Sequence, residues 1–328
     1  MLACTPQMAT LLLVNAHSRL GAKQFNHYRN LLNEALNMVD AGLTHSPHEM
    51  AARIQEGLNS QVRRFIIGGG DGTLSLAANV LAGTPGVLGI LPLGTGNTFS
   101  RGLGLPSPDL ELVRLLAQGP IARHDLGLAR KDSHQIIFLN SLTVGFSERL
   151  VELLSRESKD RLGHFAWILE FRRALAATPS LKIQLSWPGG CDQYETRQLV
   201  VVNGRTIAAG IPATPQSSGQ DGLLEIFRLG TPAFSSILRL GAKLLAGRLP
   251  SDVEAHYRTL PEVTIDTTPG LPASVDGDIW LPPPWHCRVL PGALRVISPR
   301  QGTPSPEGPL VTHAWHTPRL TLQPPLAK

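Results

Sequence analysis

The chain has 328 residues, 42% of them hydrophobic and 17% charged. That length allows two domains with ample cores, and the composition excludes a disordered chain. A net charge of +5 is too mild for a nucleic-acid-binding tail; it fits contact with anionic ligands or lipid surfaces, and equally fits plain solubility. Met1-Leu2-Ala3-Cys4 lacks the basic stretch and apolar core of a signal peptide. Met8 serves equally well as a start, because residues 9–15 already read as the first strand. No apolar run reaches the roughly 18 residues that a membrane span needs. Cys4, Cys191 and Cys287 are far apart and form no CxxC pair. They argue against a disulfide framework or a zinc site and favour a reducing compartment.

Residues 9–125 alternate apolar runs with helical segments. Strands are expected at 10–14, 65–67 and 87–91, and helices at 26–39, 47–58, 74–81 and 109–118. This alternation predicts a mostly parallel sheet with helices on its faces, a Rossmann-like α/β unit. Ligands of such sheets bind beyond the carboxyl ends of the strands. Two glycine-rich turns fall there. Gly68-Gly69-Gly70-Asp71-Gly72-Thr73 follows one apolar run, and Pro92-Leu93-Gly94-Thr95-Gly96-Asn97 follows the next. Backbone without Cβ atoms can approach a ligand closely and surround phosphate oxygens with N–H groups. The start of the following helix adds partial positive charge. Together the turns predict one nucleotide phosphate site. Asp71 suits a metal ion or a bound water there, or caps the helix that follows.

After residue 126 the texture changes. Strands are expected at 136–143, 181–187, 198–203, 223–229, 263–267 and 293–298, separated by turn-rich stretches. An antiparallel β-sandwich is the natural reading for 126–298. Residues 146–176 have helical spacing and many charges. A second helical stretch, 233–249, sets Arg239, Lys243 and Arg248 among leucines. It suits either packing on a sheet or lying on a membrane surface. Residues 299–328 are proline-rich and aperiodic, and are expected to form a disordered tail. The eleven histidines show no metal-ligand spacing.

With these motifs in order, the chain resembles the diacylglycerol kinase catalytic-domain family, which includes sphingosine kinases and bacterial lipid kinases. The anchors are GGDGT at Gly69–Thr73 and PLGTGN at Pro92–Asn97. Further matches are Asn15, Ser18 and Gly21, then Asn140 with Gly145-Phe146, Asp221-Gly222-Leu223-Leu224 and Asp276-Gly277-Asp278. A lone GGDGT also occurs in NAD kinases and phosphofructokinases, so the ordered set carries the resemblance. It implies an α/β domain over 1–125, a β-sandwich lipid-substrate domain over 126–298, and ATP in the cleft between them. It implies γ-phosphoryl transfer to a lipid hydroxyl, assisted by Mg2+, at a peripheral membrane surface on the cytoplasmic side. A homodimer stays open.

The same resemblance implies roles for single residues. Gly69, Gly70, Gly72 and Thr73 would hold the nucleotide phosphates, completed by Gly94, Thr95, Gly96 and Asn97. Asn15 and Ser18, at the end of the first strand, would add nucleotide contacts. Arg19, Lys23 and Arg101 are possible partners for the γ-phosphate. Asp71 would organise Mg2+, and Asp276 would be the general base. On pattern alone Asp276-Gly277 is a hairpin turn. Asp278 stands where the family carries a glutamate, which puts a ligand role for that third acid in question. Asp221 lacks the neighbouring acids of bacterial relatives. One carboxylate makes a poor cation cage, so that second metal site is expected to be missing. Two other readings remain: a kinase for a soluble acceptor such as NAD, and a non-catalytic nucleotide- or lipid-binding regulator on the same fold. The family's Asn-Glu pair of NAD kinases is absent downstream of GGDGT.

Overall fold

The structure, a computed structural model, describes residues 8–145, 179–204, 218–229 and 255–299. The expected helical stretches at 146–176 and 233–249 lie outside these residues, as does the tail beyond 299. In the first half, β1 (Thr10–Asn15), β3 (Arg64–Gly69) and β4 (Val87–Pro92) pair in parallel, and β2 (Met38–Thr44) adds to the outer edge of β1. Side chains alternate between the two faces of a strand. Leu11, Leu13, Phe65, Ile67, Leu88 and Ile90 therefore share one core with α2 (Pro47–Asn59) and α3 (Asp71–Leu81). Leu12, Val14, Ile66 and Leu91 face the opposite core, against α1 (Gly21–Ala35) and α5 (Leu110–Gln118). A short helix, α4 (Thr98–Leu103), follows the second glycine loop. Local chemistry fixes the helix starts. Ser46 accepts the Glu49 N–H at 3.1 Å, and Pro47 occupies the first turn of α2.

The second half is a sandwich. One sheet is antiparallel throughout. It orders β12 (Ala255–Leu260), β11 (Leu224–Leu229), β10 (Gln198–Val202), β7 (Ser141–Gly145), β14 (Ser274–Val275) and β15 (Asp278–Ile279). Facing it are β5 (Ile121–Lys131), β6 (His134–Phe138), β8 (Leu181–Trp187), β9 (Gly190–Thr196), β13 (Glu262–Thr268) and β16 (Trp285–Ile297). Phe138, Val144, Leu185, Val201, Ile226 and Trp285 fill the space between the sheets.

The two halves share a sheet. β16 pairs antiparallel with β13 and β5, and near its end pairs in parallel with β4 at Arg295↔Val87 and Val296↔Leu88. The parallel sheet and one layer of the sandwich are thus a single ten-stranded sheet. β5 runs unbroken through residue 126, where the sequence texture changes.

Three expectations need correction. The helix expected at 26–39 begins earlier and stops at Ala35, because Met38–Thr44 is the edge strand β2. Its Asp40 and Gly42 hid the strand pattern. The strand expected at 136–143 is two strands, β6 and β7, broken at Leu139-Asn140. The strand expected at 293–298 is the end of the much longer β16. Among the described residues no helix is long and apolar enough to cross a membrane.

Candidate active site

The two glycine loops leave the carboxyl ends of β3 and β4 side by side. A Cβ on Gly94 would collide with the Cα of Gly70 and crowd the Asn97 side chain. Glycine at 94 is therefore a packing requirement that joins the loops into one surface. Gly72 differs: a Cβ there would meet nothing within 4 Å. It lies in the first turn of α3, where the leading N–H groups have no partner inside the helix. The space beside it is open, and Thr95 and Gly96 are exposed at the tip of the neighbouring loop. Donors, helix dipole and room for a ligand coincide there, which fits phosphate oxygens.

Asp71 is tied to the second loop. Its Oδ2 accepts the Thr98 N–H at 3.0 Å and its Oδ1 accepts the Phe99 N–H at 3.1 Å. It caps α4, from across the site, and not the helix in which it stands. Each oxygen accepts one of these bonds and keeps a second lone-pair site. Asn97 sits at φ 49° and closes its own loop. Its amide donates to Pro92 O at 3.1 Å and to Gly94 O at 3.2 Å, and its Oδ1 accepts the Gly94 N–H at 3.1 Å. Asn15 donates to the Thr73 hydroxyl at 2.9 Å, and the Ser18 hydroxyl turns back to Asn15 O at 2.8 Å. Asn97, Asn15 and Ser18 thus border the site while spending these polar atoms on loop shape. Arg19, Lys23 and Arg101 are exposed.

Asp276 comes to the same place from the second half of the chain. Asp276 and Gly277 join β14 to β15 with φ 49° and 101°, the positive values of a type I′ hairpin turn. The turn reading and the functional reading therefore describe the same two residues. The residue is half-buried, and its carboxyl group is the enclosed part. Oδ1 accepts the N–H groups of Asn140 at 2.8 Å and Ser141 at 3.0 Å. Oδ2 accepts the Leu139 N–H at 2.6 Å and the Ser75 hydroxyl at 2.8 Å. The break between β6 and β7 is what turns these three consecutive N–H groups onto one anion. Burial pushes the Asp276 carboxyl above its usual range, against the pull of its four donors. Ser75 lies four residues after Asp71, on the same face of α3. Asn79, four further on, donates to Ser75 O at 2.8 Å and to Ile137 O at 3.3 Å. This polar stripe docks α3 onto the second half. Asp278 follows on β15, exposed.

Beneath the site lies a buried cluster that the sequence reading missed. Asp125 on β5 accepts the N–H groups of Gly222 at 2.8 Å and Gly292 at 2.6 Å. Its backbone carbonyl takes the Asn203 amide at 2.9 Å, and the same amide reaches Leu139 O at 3.1 Å. Burial raises the Asp125 carboxyl; the two glycine N–H groups oppose this and the Asp221 charge adds to it. His124 packs edge-on to Phe99 of α4 at 5.1 Å, and burial pushes its imidazole down. The available signal was an acid standing directly before the run Leu126-Gly127-Leu128-Ala129. Asp221 itself is exposed, and its Oδ1 accepts the Leu223 N–H at 3.0 Å.

Residues 9–129 match the diacylglycerol kinase catalytic domain, and residues 141–298 match the YegS C-terminal NAD kinase beta sandwich-like domain. The chain belongs to the diacylglycerol kinase catalytic-domain family. A relative from Pseudomonas fluorescens Pf-5, named "Probable lipid kinase YegS-like", is 34% identical over 248 residues, covering 75% of this chain and 81% of that protein. One of the same name from Pseudomonas aeruginosa PAO1 is 30% identical over 288 residues, covering 83% and 92%. A solved diacylglycerol kinase structure from Bacillus anthracis str. Sterne shares the fold with a TM-score of 0.70 at 24% identity, over 90% of this chain and 98% of that one. Membership in this lipid kinase family makes the chain a kinase, for which ATP is the expected phosphoryl donor. Its α/β unit with a sandwich-like second domain is the family architecture.

Proposed function

We propose that the protein transfers the γ-phosphoryl group of ATP to the hydroxyl of a diacylglycerol-like or sphingoid-like lipid. The observation that carries this reading is the Ser75–Asp276 hydrogen bond. It holds the enclosed Asp276 carboxyl against α3, a helical turn from the open first turn at Gly72. Phosphoryl transfer needs positioning, charge neutralisation and a proton acceptor, with little covalent work for the protein. Gly69, Gly70, Gly72 and Thr73 hold the phosphates against the start of α3. The loop Gly94–Asn97 forms the opposite wall, shaped by Asn97 from within, while Asn15 and Ser18 fix Thr73 and the end of β1.

Mg2+, if bound, would supply positive charge that neutralises the phosphates during transfer. Asp71 fits it through the lone pairs that Thr98 and Phe99 leave free. Among the described residues no three His, Cys, Asp or Glu side chains gather into a metal site. Asp276 is the general base for the acceptor hydroxyl. Burial raises its affinity for a proton, as a proton acceptor needs. Residues 126–298 shape the acceptor site, and an acceptor that resides in a bilayer brings the enzyme to the cytoplasmic membrane surface.

The test is labelled ATP with a total bacterial lipid extract, the labelled product being identified by mass spectrometry. A labelled lipid that disappears with Asp71→Asn and Asp276→Asn is the expected result. Transfer to NAD, or ATP binding without any transfer, would replace this reading.

A further inference from the structure

The four donors on Asp276 leave a general base with a difficulty. An ionised carboxylate offers about four lone-pair sites, and four hydrogen bonds fill them. Three come from the amides of Leu139, Asn140 and Ser141, which are fixed by the chain and hold their protons. The fourth is the Ser75 hydroxyl at 2.8 Å. It alone can rotate, and it alone can take one proton while giving up another. It projects from α3 about 6 Å along the axis from Asp71, given about 1.5 Å of rise per residue, and Ser75 is only half-buried. Asn79 and Ile137 flank it on the side away from the glycine loops.

We propose that Ser75 is a catalytic residue that relays the acceptor's proton to Asp276. The inference rests on the kinase reading above. As the acceptor oxygen bonds to the γ-phosphorus, the bond from that phosphorus to the β–γ bridging oxygen breaks, and its electron pair leaves with ADP. The acceptor O–H bond breaks and its proton goes to Ser75 Oγ. The original Ser75 O–H bond breaks in turn, and that proton goes to Asp276 Oδ2. Asp276 ends as a carboxylic acid and Ser75 is regenerated. The three amides hold the carboxylate still throughout, so only hydroxyl protons move.

The experiment compares the full chain with Ser75→Ala and Ser75→Thr, using ATP and the total lipid extract under single-turnover conditions. ATP affinity and melting temperature are read on each. Ser75→Ala is expected to lose on the order of 100-fold or more in transfer with ATP affinity unchanged. Ser75→Thr keeps the hydroxyl and is expected to stay within about tenfold of wild type. Wild-type rates in H2O–D2O mixtures should curve with deuterium fraction, because two protons move together, and Ser75→Ala should lose that curvature. Transfer by Ser75→Ala close to wild type, or a linear wild-type plot, overturns the relay and leaves the kinase reading standing. Loss of ATP affinity or of melting temperature in Ser75→Ala, with Ser75→Thr equally impaired, overturns it in favour of a structural role. A wild-type chain that labels no lipid removes the kinase reading and the relay together.

Discussion

Gly94 meets Gly70 so closely that no Cβ fits between them, and this contact fuses two loops separated by a whole βα unit. Gly94→Ala should push the loops apart. The cost expected for such overpacking is about 1–3 kcal/mol, with ATP affinity falling alongside. Gly72→Ala is the informative contrast. Its Cβ meets no protein atom, so folding stability should hold or rise by up to about 1 kcal/mol as a helical glycine is replaced. ATP binding should nevertheless weaken, because the added methyl group enters the open side of the cradle. Calorimetric ATP titration and thermal melts of the two variants separate packing from ligand contact.

Asp71→Asn replaces one acceptor oxygen with an NH2 group that faces a backbone N–H of α4. Transfer should fall by at least about 100-fold, on the scale of losing a charge-positioning group. The N–H groups of Thr98 and Phe99 should exchange with solvent faster, since the Asp71 carboxylate is their partner. Amide hydrogen exchange reads this loosening without any lipid present.

Asp276→Asn should cut transfer by about 10² to 10⁴, the usual range for a general base, while ATP still binds. The pH dependence has a definite sign. Burial raises this carboxyl in the folded chain. Below the ordinary aspartate range both folded and unfolded chains carry the proton, and the group's contribution is fully present. As pH rises from that range through the raised folded value, the unfolded chain releases its proton first and stability declines. The acidic limb of the wild-type rate profile should therefore lie above the ordinary aspartate range. Denaturant titrations across that interval should show a downward stability trend that Asp276→Asn lacks.

His124 works in the opposite direction. Its imidazole is buried and pushed down, so the folded chain keeps it neutral where the unfolded chain takes up a proton. Its contribution is fully present above about pH 6.5, the ordinary histidine value, and is lost as pH falls through the lowered folded value. His124→Gln should remove part of the acid lability measured by urea unfolding between pH 7 and about pH 5. It should also disturb α4, because Phe99 packs on that ring.

Much of this arrangement was legible in the chain because glycine and aspartate mark backbone geometry directly. GGDGT and PLGTGN fixed where two parallel strands end, and Asp276-Gly277 announced its turn through the dipeptide alone. What stayed hidden depends on contacts distant in sequence. That Asp71 caps α4 cannot be read from its neighbours, which pointed to its own helix. The break at Leu139-Asn140 looked like continuous strand, because only the Asp276 carboxyl, 136 residues on, gives those N–H groups a reason to turn aside. Ser75 read as an ordinary helix residue. β2 was masked by an edge position, where half-exposed side chains blur the alternation.

The position of β16 bears on how the protein is made. Val87 and Leu88 acquire their outer neighbour from Arg295 and Val296, about 200 residues later in the chain. At about 5–20 residues per second of synthesis, the edge of β4 waits roughly 10 to 40 seconds on the ribosome before its partner emerges. During that interval the nucleotide half carries an unpaired, fully buried-type strand at its margin, a surface prone to pairing with other chains. Shortening the chain before residue 295 should therefore yield aggregation, and not a smaller soluble nucleotide-binding module.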